Sequence, residues 1–211
     1  MEEMFVIFDN VAQFTIDGRT SELKGPAGVP CRMGSSHGIY NPTDHPTQWM
    51  NIAVGTVRGR YDAFDLDDAR VGANLDAKPV FMNMRMDKNL LKPVTAMNGG
   101  KGTVRYRRML GPEVFQLELC GSSLNPFREW ACYHRHTMQE EFFYVLSGRG
   151  RVTVEGETLE IGPGDAVPCR IGESHGFYNH SNSDLELMVI GVALEKGKFD
   201  VTEINEDLSV K

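Results

Sequence analysis

Four side chains in the C-terminal half of the chain have the types and spacing of a metal site. Tyr133-His134-Arg135-His136 lies in an alternating segment, and the two-residue period of an extended chain puts Trp130, Cys132, His134 and His136 on one face. Two imidazoles on one face can converge on an ion. Glu141 follows across a turn, at the head of the apolar run Phe142 to Leu146, and His175 stands in Ser174-His-Gly-Phe-Tyr-Asn179 after an Ile171-Gly172 turn. Three neutral imidazoles and a carboxylate make a mixed nitrogen and oxygen donor set, suited to divalent Mn, Fe, Co, Ni, Cu or Zn. An octahedral ion held by four such ligands keeps two positions for water, dioxygen or a bidentate substrate. Glu140 is the adjacent alternative, but Glu141 shares its strand parity with Phe143 and Val145, the inward set. Phe143 and Phe177 share the ligand face with Trp130 and Cys132 and are expected to line the interior. Cys132 is also a candidate substrate contact or redox thiol.

These residues must be positioned by strands, because the segments around them are short, alternating or apolar, and rich in β-branched and aromatic residues. Arg151-Val-Thr-Val and Leu185-Glu-Leu-Met-Val-Ile-Gly-Val are examples. Asp17-Gly18 and Glu155-Gly156 fit hairpin turns, and Gly162-Pro-Gly-Asp165 fits a tight turn. Closely spaced strands with such turns predict a barrel or sandwich. The chain also repeats itself. Val29-Pro-Cys-Arg-Met-Gly-Ser-Ser-His-Gly-Ile-Tyr-Asn41 returns as Val167-Pro-Cys-Arg-Ile-Gly-Glu-Ser-His-Gly-Phe-Tyr-Asn179, an offset of 138 that also pairs Glu2-Glu3-Met4-Phe5 with Glu140-Glu141-Phe142-Phe143. Between the repeats the pattern loosens. Asp87-Lys-Asn-Leu-Leu is a candidate helical turn, and Asn98-Gly-Gly-Lys-Gly102 reads as a joint.

Set in order, the motifs resemble those of the cupin superfamily. His134-Arg-His136, Glu141 and Gly148 look like its first motif, and Gly164, Arg170-Ile-Gly172, His175 and Asn179 look like its second. Arg170 stands where a proline is usual, and no glycine occupies the usual place upstream of His134, where Pro126 to Trp130 stand. The resemblance implies an all-β fold of tandem double-stranded β-helix (jelly-roll) barrels. A partial first repeat would span residues 1–75, a short partly helical linker 76–102, and a complete repeat with the metal site 103–211. It implies His134, His136, Glu141 and His175 as ligands of one divalent transition metal, with Fe or Mn placed ahead of Zn, Ni, Co and Cu. The function expected is that of a metal-dependent oxidoreductase of dioxygenase type acting on a small polar or anionic molecule. Isomerases, lyases, decarboxylases and non-catalytic binding cupins are the alternatives. Arg170, an always-charged bidentate donor, is a candidate clamp for a carboxylate or phosphate.

Subtracting 138 from His134 and His136 places their counterparts ahead of Met1, so the first repeat retains only Glu3 and His37 of the set. A downstream start, a truncated chain, or a degenerate repeat completed by another segment or subunit would each account for this. With strands missing, the apolar edges Phe5, Ile7 and Phe14 should be exposed and drive association, giving a homo-oligomer, a dimer in the simplest case. Twenty-two Lys and Arg against 29 Asp and Glu, a net charge of −7, disfavour a nucleic-acid partner. The cluster Arg105, Arg107 and Arg108 reads as a solvated strand face, with an anionic ligand or subunit contact as the alternative. No run of apolar residues is long enough to span a membrane, and no positively charged leader precedes an apolar stretch, so a cytoplasmic location is expected. The four cysteines, Cys31, Cys120, Cys132 and Cys169, are expected to be reduced.

Overall fold

The computed structural model describes residues 1–66, 75–77, 81, 83–117, 119–127 and 133–211, with only the backbone of 119–126. Trp130 and Cys132, assigned above to the ligand face, lie outside the described residues, as does the side chain of Cys120. The regular structure among the described residues is nearly all β-strand, and the chain divides into two compact units, Met1–Met86 with Glu113–Leu117, and Asp87–Pro112 with Glu118–Lys211.

In the first unit the strands are β1 (Glu2–Ile7), β2 (Val11–Ile16), β3 (Arg19–Lys24), β4 (Ala27–Cys31), β5 (His37–Tyr40), β6 (Trp49–Val54) and β7 (Met84–Arg85). They form two antiparallel sheets, β6-β1-β4-β7 and β3-β2-β5. The core draws from both: Phe5, Ile7, Val29 and Cys31 from the first sheet, Ala12, Phe14 and Leu23 from the second. The expectation that Phe5, Ile7 and Phe14 form exposed edges is therefore corrected. They are 5%, 0% and 0% exposed, because β1 is flanked by β4 and β6 and its inward face packs on β2, with the Phe5 and Phe14 rings 5.2 Å apart.

The second unit contains β8 (Lys92–Thr95), β9 (Thr103–Leu110), β10 (Leu119–Phe127), β11 (His134–Arg135), β12 (Gln139–Ser147), β13 (Gly150–Val154), β14 (Glu157–Ile161), β15 (Ala166–Cys169), β16 (His175–Tyr178), β17 (Leu185–Ala193) and β18 (Thr202–Glu203). Sheets β15-β12-β17-β10-β9-β8 and β14-β13-β16-β11-β18 enclose a core that includes Phe143, Val145, Cys169, Leu187 and Val189 from one side and Val152, Ile161 and Phe177 from the other. This is a jelly-roll arrangement in which alternation along each strand puts apolar residues inward. Each wholly buried side chain such as Val145 contributes about 1.5 to 3 kcal/mol. Residues 76–102 supply β7 to the first unit and β8 to the second, with a 3-10 turn at Lys88–Leu90. In the basic cluster on β9 the exposed Arg105 pairs with Asp184, and the exposed Arg108 guanidinium lies 5.6 Å from the Phe199 ring centre.

The duplication extends to side-chain detail. At the 138-residue offset, β5 coincides with β16, and β1 to β4 fall on β12 to β15. The Asp17-Gly18 and Glu155-Gly156 turns both carry two positive φ angles, as the type I′ hairpin requires. Within them Thr15 bonds Thr20 at 2.7 Å and Thr153 bonds Thr158 at 2.9 Å, while Asp17 and Glu155 accept from the amides of Ser36 and Ser174.

Gly148 closes the turn from β12 to β13 at φ +82°, and a Cβ there would lie 2.2 Å from the Asp184 carbonyl oxygen. Gly148→Ala should cost about 3 kcal/mol or more, combining left-handed strain with a backbone clash, and denaturant unfolding will measure it.

Candidate metal centre

His134, His136, Glu141 and His175 come together at one end of the second core, with ligand atoms all within 4.8 Å of one another. They come from both sheets. Period-2 alternation on β12 turns Gln139, Glu141, Phe143 and Val145 inward, and β16 delivers His175 from the opposite sheet, where it stands in register with His134 of β11. The Nε2 atoms of His134 and His136 are 3.0 Å apart, and Glu141 Oε2 is 3.2 Å from Nε2 of both His136 and His175. Donors about 2.1 Å from one ion, at right angles to each other, stand about 3 Å apart. The set could hold one metal ion.

Surrounding groups fix the tautomers this requires. His175 Nδ1 donates to the Glu173 carbonyl oxygen at 3.1 Å, and His136 Nδ1 donates to the carbonyl oxygen of Asp200. A carbonyl can only accept, so in the neutral rings Nδ1 carries the proton and Nε2 offers its lone pair to the centre. Gln139 Nε2 donates to Glu141 Oε1 at 3.1 Å, leaving Oε2 to face the imidazoles, while Gln139 Oε1 is buried with no partner among the described residues. Gln139 and Asp200 were not singled out in the sequence. Gln139 does carry the inward parity of Glu141, and Asp200 lies at the 138-residue offset from Asp62.

Burial alone would push the Glu141 carboxyl up, but hydrogen bonds from His136 and His175, with their charge, outweigh it and hold the value at about 2. Burial lowers His136, whereas the hydrogen bond and charge of Glu141, with the Asp200 contacts, raise it overall. The Cys169 thiol stands in register opposite Glu141, and burial followed by the Glu141 charge pushes it up. Cys31 is likewise pushed up to about 12, first by burial. Both thiols are buried and free, and as neutral thiols they pack.

Phe143 and Phe177 are buried beside the donors. Their ring centres are 4.6 Å apart, and the Phe143 centre is 5.4 Å from that of His175. Arg170 follows Cys169 on an exposed turn, where its backbone amide donates to Glu173 at 2.8 Å. In the first unit Glu3 and His37 meet at 2.8 Å, the counterpart of Glu141 with His175. They border a cavity of about 840 Å³ that Arg32 and Thr15 also line.

A jelly-roll unit that gathers three histidines and a glutamate at its interior, His136 from a turn and the others from strands, defines a class of β proteins with a candidate metal site. A cupin domain model matches residues 126–191. The oxalate-binding protein of Thermotoga maritima is 30% identical over 103 residues, covering 48% of this chain and 85% of that protein. The chain belongs to the cupin superfamily. Among solved structures, the oxalate decarboxylase of Bacillus subtilis aligns with a TM-score of 0.62 at 15% identity, covering 97% of this chain and 65% of that one. The protein Ylba of E. coli aligns with a TM-score of 0.60 at 14% identity, covering 98% and 69%. These two share the fold across both units. Among the described residues, no helix is long and apolar enough to cross a membrane.

His136→Ala should weaken Mn(II) or Co(II) binding more than 100-fold, read by calorimetry or by the Co(II) absorption spectrum. In the metal-free protein, the lowered Glu141 value gives stability present above its ordinary 4.5 and lost as pH falls toward 2. The raised His136 value gives stability present below its ordinary 6.5 and lost as pH climbs through the raised value. The metal-free melting temperature should therefore gain most from this pair between those two values. Metal affinity should fall as the medium is acidified through the raised His136 value, because a metal must displace that proton.

Proposed function

We propose that the second unit holds one divalent transition metal at His134, His136, Glu141 and His175, and binds there a small carboxylate anion of the oxalate class. The observation that carries this reading is the convergence of four donors at spacings of 3.0 to 3.2 Å, with the Nδ1 positions of two rings already committed to carbonyls. The name of the 30% identical relative, an oxalate-binding protein, supports the ligand class.

When bound, the metal supplies a Lewis acid that polarises a coordinated carboxylate and keeps positions free for it. The chain supplies the rest. Phe143 and Phe177 form an apolar floor that strengthens every charge interaction above it, and Fe or Mn suits the nitrogen and oxygen donors. Arg170, on the exposed turn that follows β15, is the candidate clamp for the outer carboxylate. Dioxygenase, isomerase, lyase and decarboxylase chemistry would all start from this same bound anion, and none of them has specific support over binding alone.

Titration of the Mn(II)- and Fe(II)-loaded full chain with oxalate under anaerobic conditions should show one site on the second unit, absent from the metal-free protein. Arg170→Ala should weaken it about 10-fold. Oxalate binding that ignores metal and His136→Ala would sink the proposal, whereas oxygen uptake or carbon dioxide release on mixing would add turnover of the corresponding type.

A further inference from the structure

The ligand strand β11 is only two residues long, and each of its edges is covered by a different element. One edge pairs with β16, and the other pairs with β18 from the C-terminal tail, with His134 in register with Glu203 and Arg135 with Thr202. The tail continues alongside: the Ile204 amide donates to the Tyr133 carbonyl oxygen at 2.9 Å, and Leu208, 1% exposed, packs on Tyr133. At the head of this segment Asp200 makes two kinds of contact. Its carboxylate accepts from the Thr137 amide at 2.8 Å, the Thr137 hydroxyl at 2.8 Å and the Met138 amide at 2.7 Å, closing the turn between His136 and β12. Its backbone carbonyl accepts the His136 Nδ1 proton.

From this geometry we infer that Asp200 is a positioning residue of the metal centre, its carboxylate anchoring the tail so that its own carbonyl fixes the tautomer and aim of His136. The inference rests on the metal reading above. Three charge-assisted bonds to one turn hold the Asp200 backbone in place, and a backbone carbonyl so held is a fixed acceptor for an imidazole that must present Nε2 inward. The tail is therefore part of the site, although it lies 64 residues from His136 in the chain.

Three variants of the full chain test this, each read by Co(II) titration, by long-range ¹⁵N NMR of the His136 ring and by metal-free melting. Asp200→Ala should lower Co(II) affinity 10- to 100-fold and mix the two His136 tautomers. Asp200→Asn, which keeps a carbonyl acceptor for the turn, should recover most of both. Leu208→Ala, which loosens the tail without touching the turn, should lower the melting temperature yet leave Co(II) affinity within about twofold of the parent. Wild-type affinity and an unchanged Nδ1–H tautomer in Asp200→Ala would overturn the inference, as would an equal loss of affinity in Leu208→Ala. If the parent chain binds no Co(II), the metal reading itself fails, and the tautomer measurement still decides the role of Asp200.

Discussion

The second unit is organised around a carboxylate that water cannot reach freely. Glu141 has a side chain only 15% exposed, and an isolated charge in such a place is costly unless opposite charge or hydrogen-bond donors meet it. His136 and His175 meet it: Glu141 stands on β12 of one sheet, His175 on β16 of the facing sheet and His136 in the turn after β11 of that same facing sheet, so the separation of the sheets governs the contact. Phe143 and Phe177 span that distance directly beneath the donors, and the remaining core, from Val145 to Leu187, keeps it rigid. Packing and electrostatics are thus one constraint. The core sets the separation, and the separation makes the charge tolerable. The same group of donors that accommodates the charge by hydrogen bonding is arranged to accommodate it by binding a cation.

Comparison of the two units separates what builds the fold from what builds the centre. Turn residues, inward apolar positions and even the threonine pair of the first hairpin recur at the 138-residue offset, and both units form two facing sheets. Glu3 and His37 recur as well, at hydrogen-bonding distance. A jelly roll can therefore stand on its apolar alternation and turns, with the donor set carried as an independent addition on inward positions. The same reasoning keeps structural likeness to oxalate decarboxylase at the level of fold, because chemistry resides in the site.

Much of this was readable along the chain, and the exceptions have a common cause. His134, His136 and Glu141 lie within eight residues, and His175 sits in a repeated motif, so strand parity and spacing sufficed to group them. Asp200 and Gln139 were missed because one acts across 64 residues and the other through an amide that has no characteristic spacing. The exposure expected of Phe5, Ile7 and Phe14 from missing strands fails for a related reason: β4 and β6 from later in the chain flank β1, β3 and β5 flank β2, and the two strands pack face to face. Arg105 and Arg108 are exposed, as a solvated face requires, and what the sequence did not show is that they also reach Asp184 and Phe199 far along the chain.

The amino-acid sequence alone determined the all-β class, the duplication, the turn positions and the grouping of His134, His136, Glu141 and His175 as candidate donors. These follow from local rules: a period of two residues, left-handed turns that favour glycine, and ligand chemistry. Only the tertiary structure decided that the donors meet within 4.8 Å, which imidazole nitrogen faces the centre, and that a C-terminal tail supports it. Those properties depend on where two sheets come to rest against each other, a distance set by the collective packing of side chains far apart in the chain.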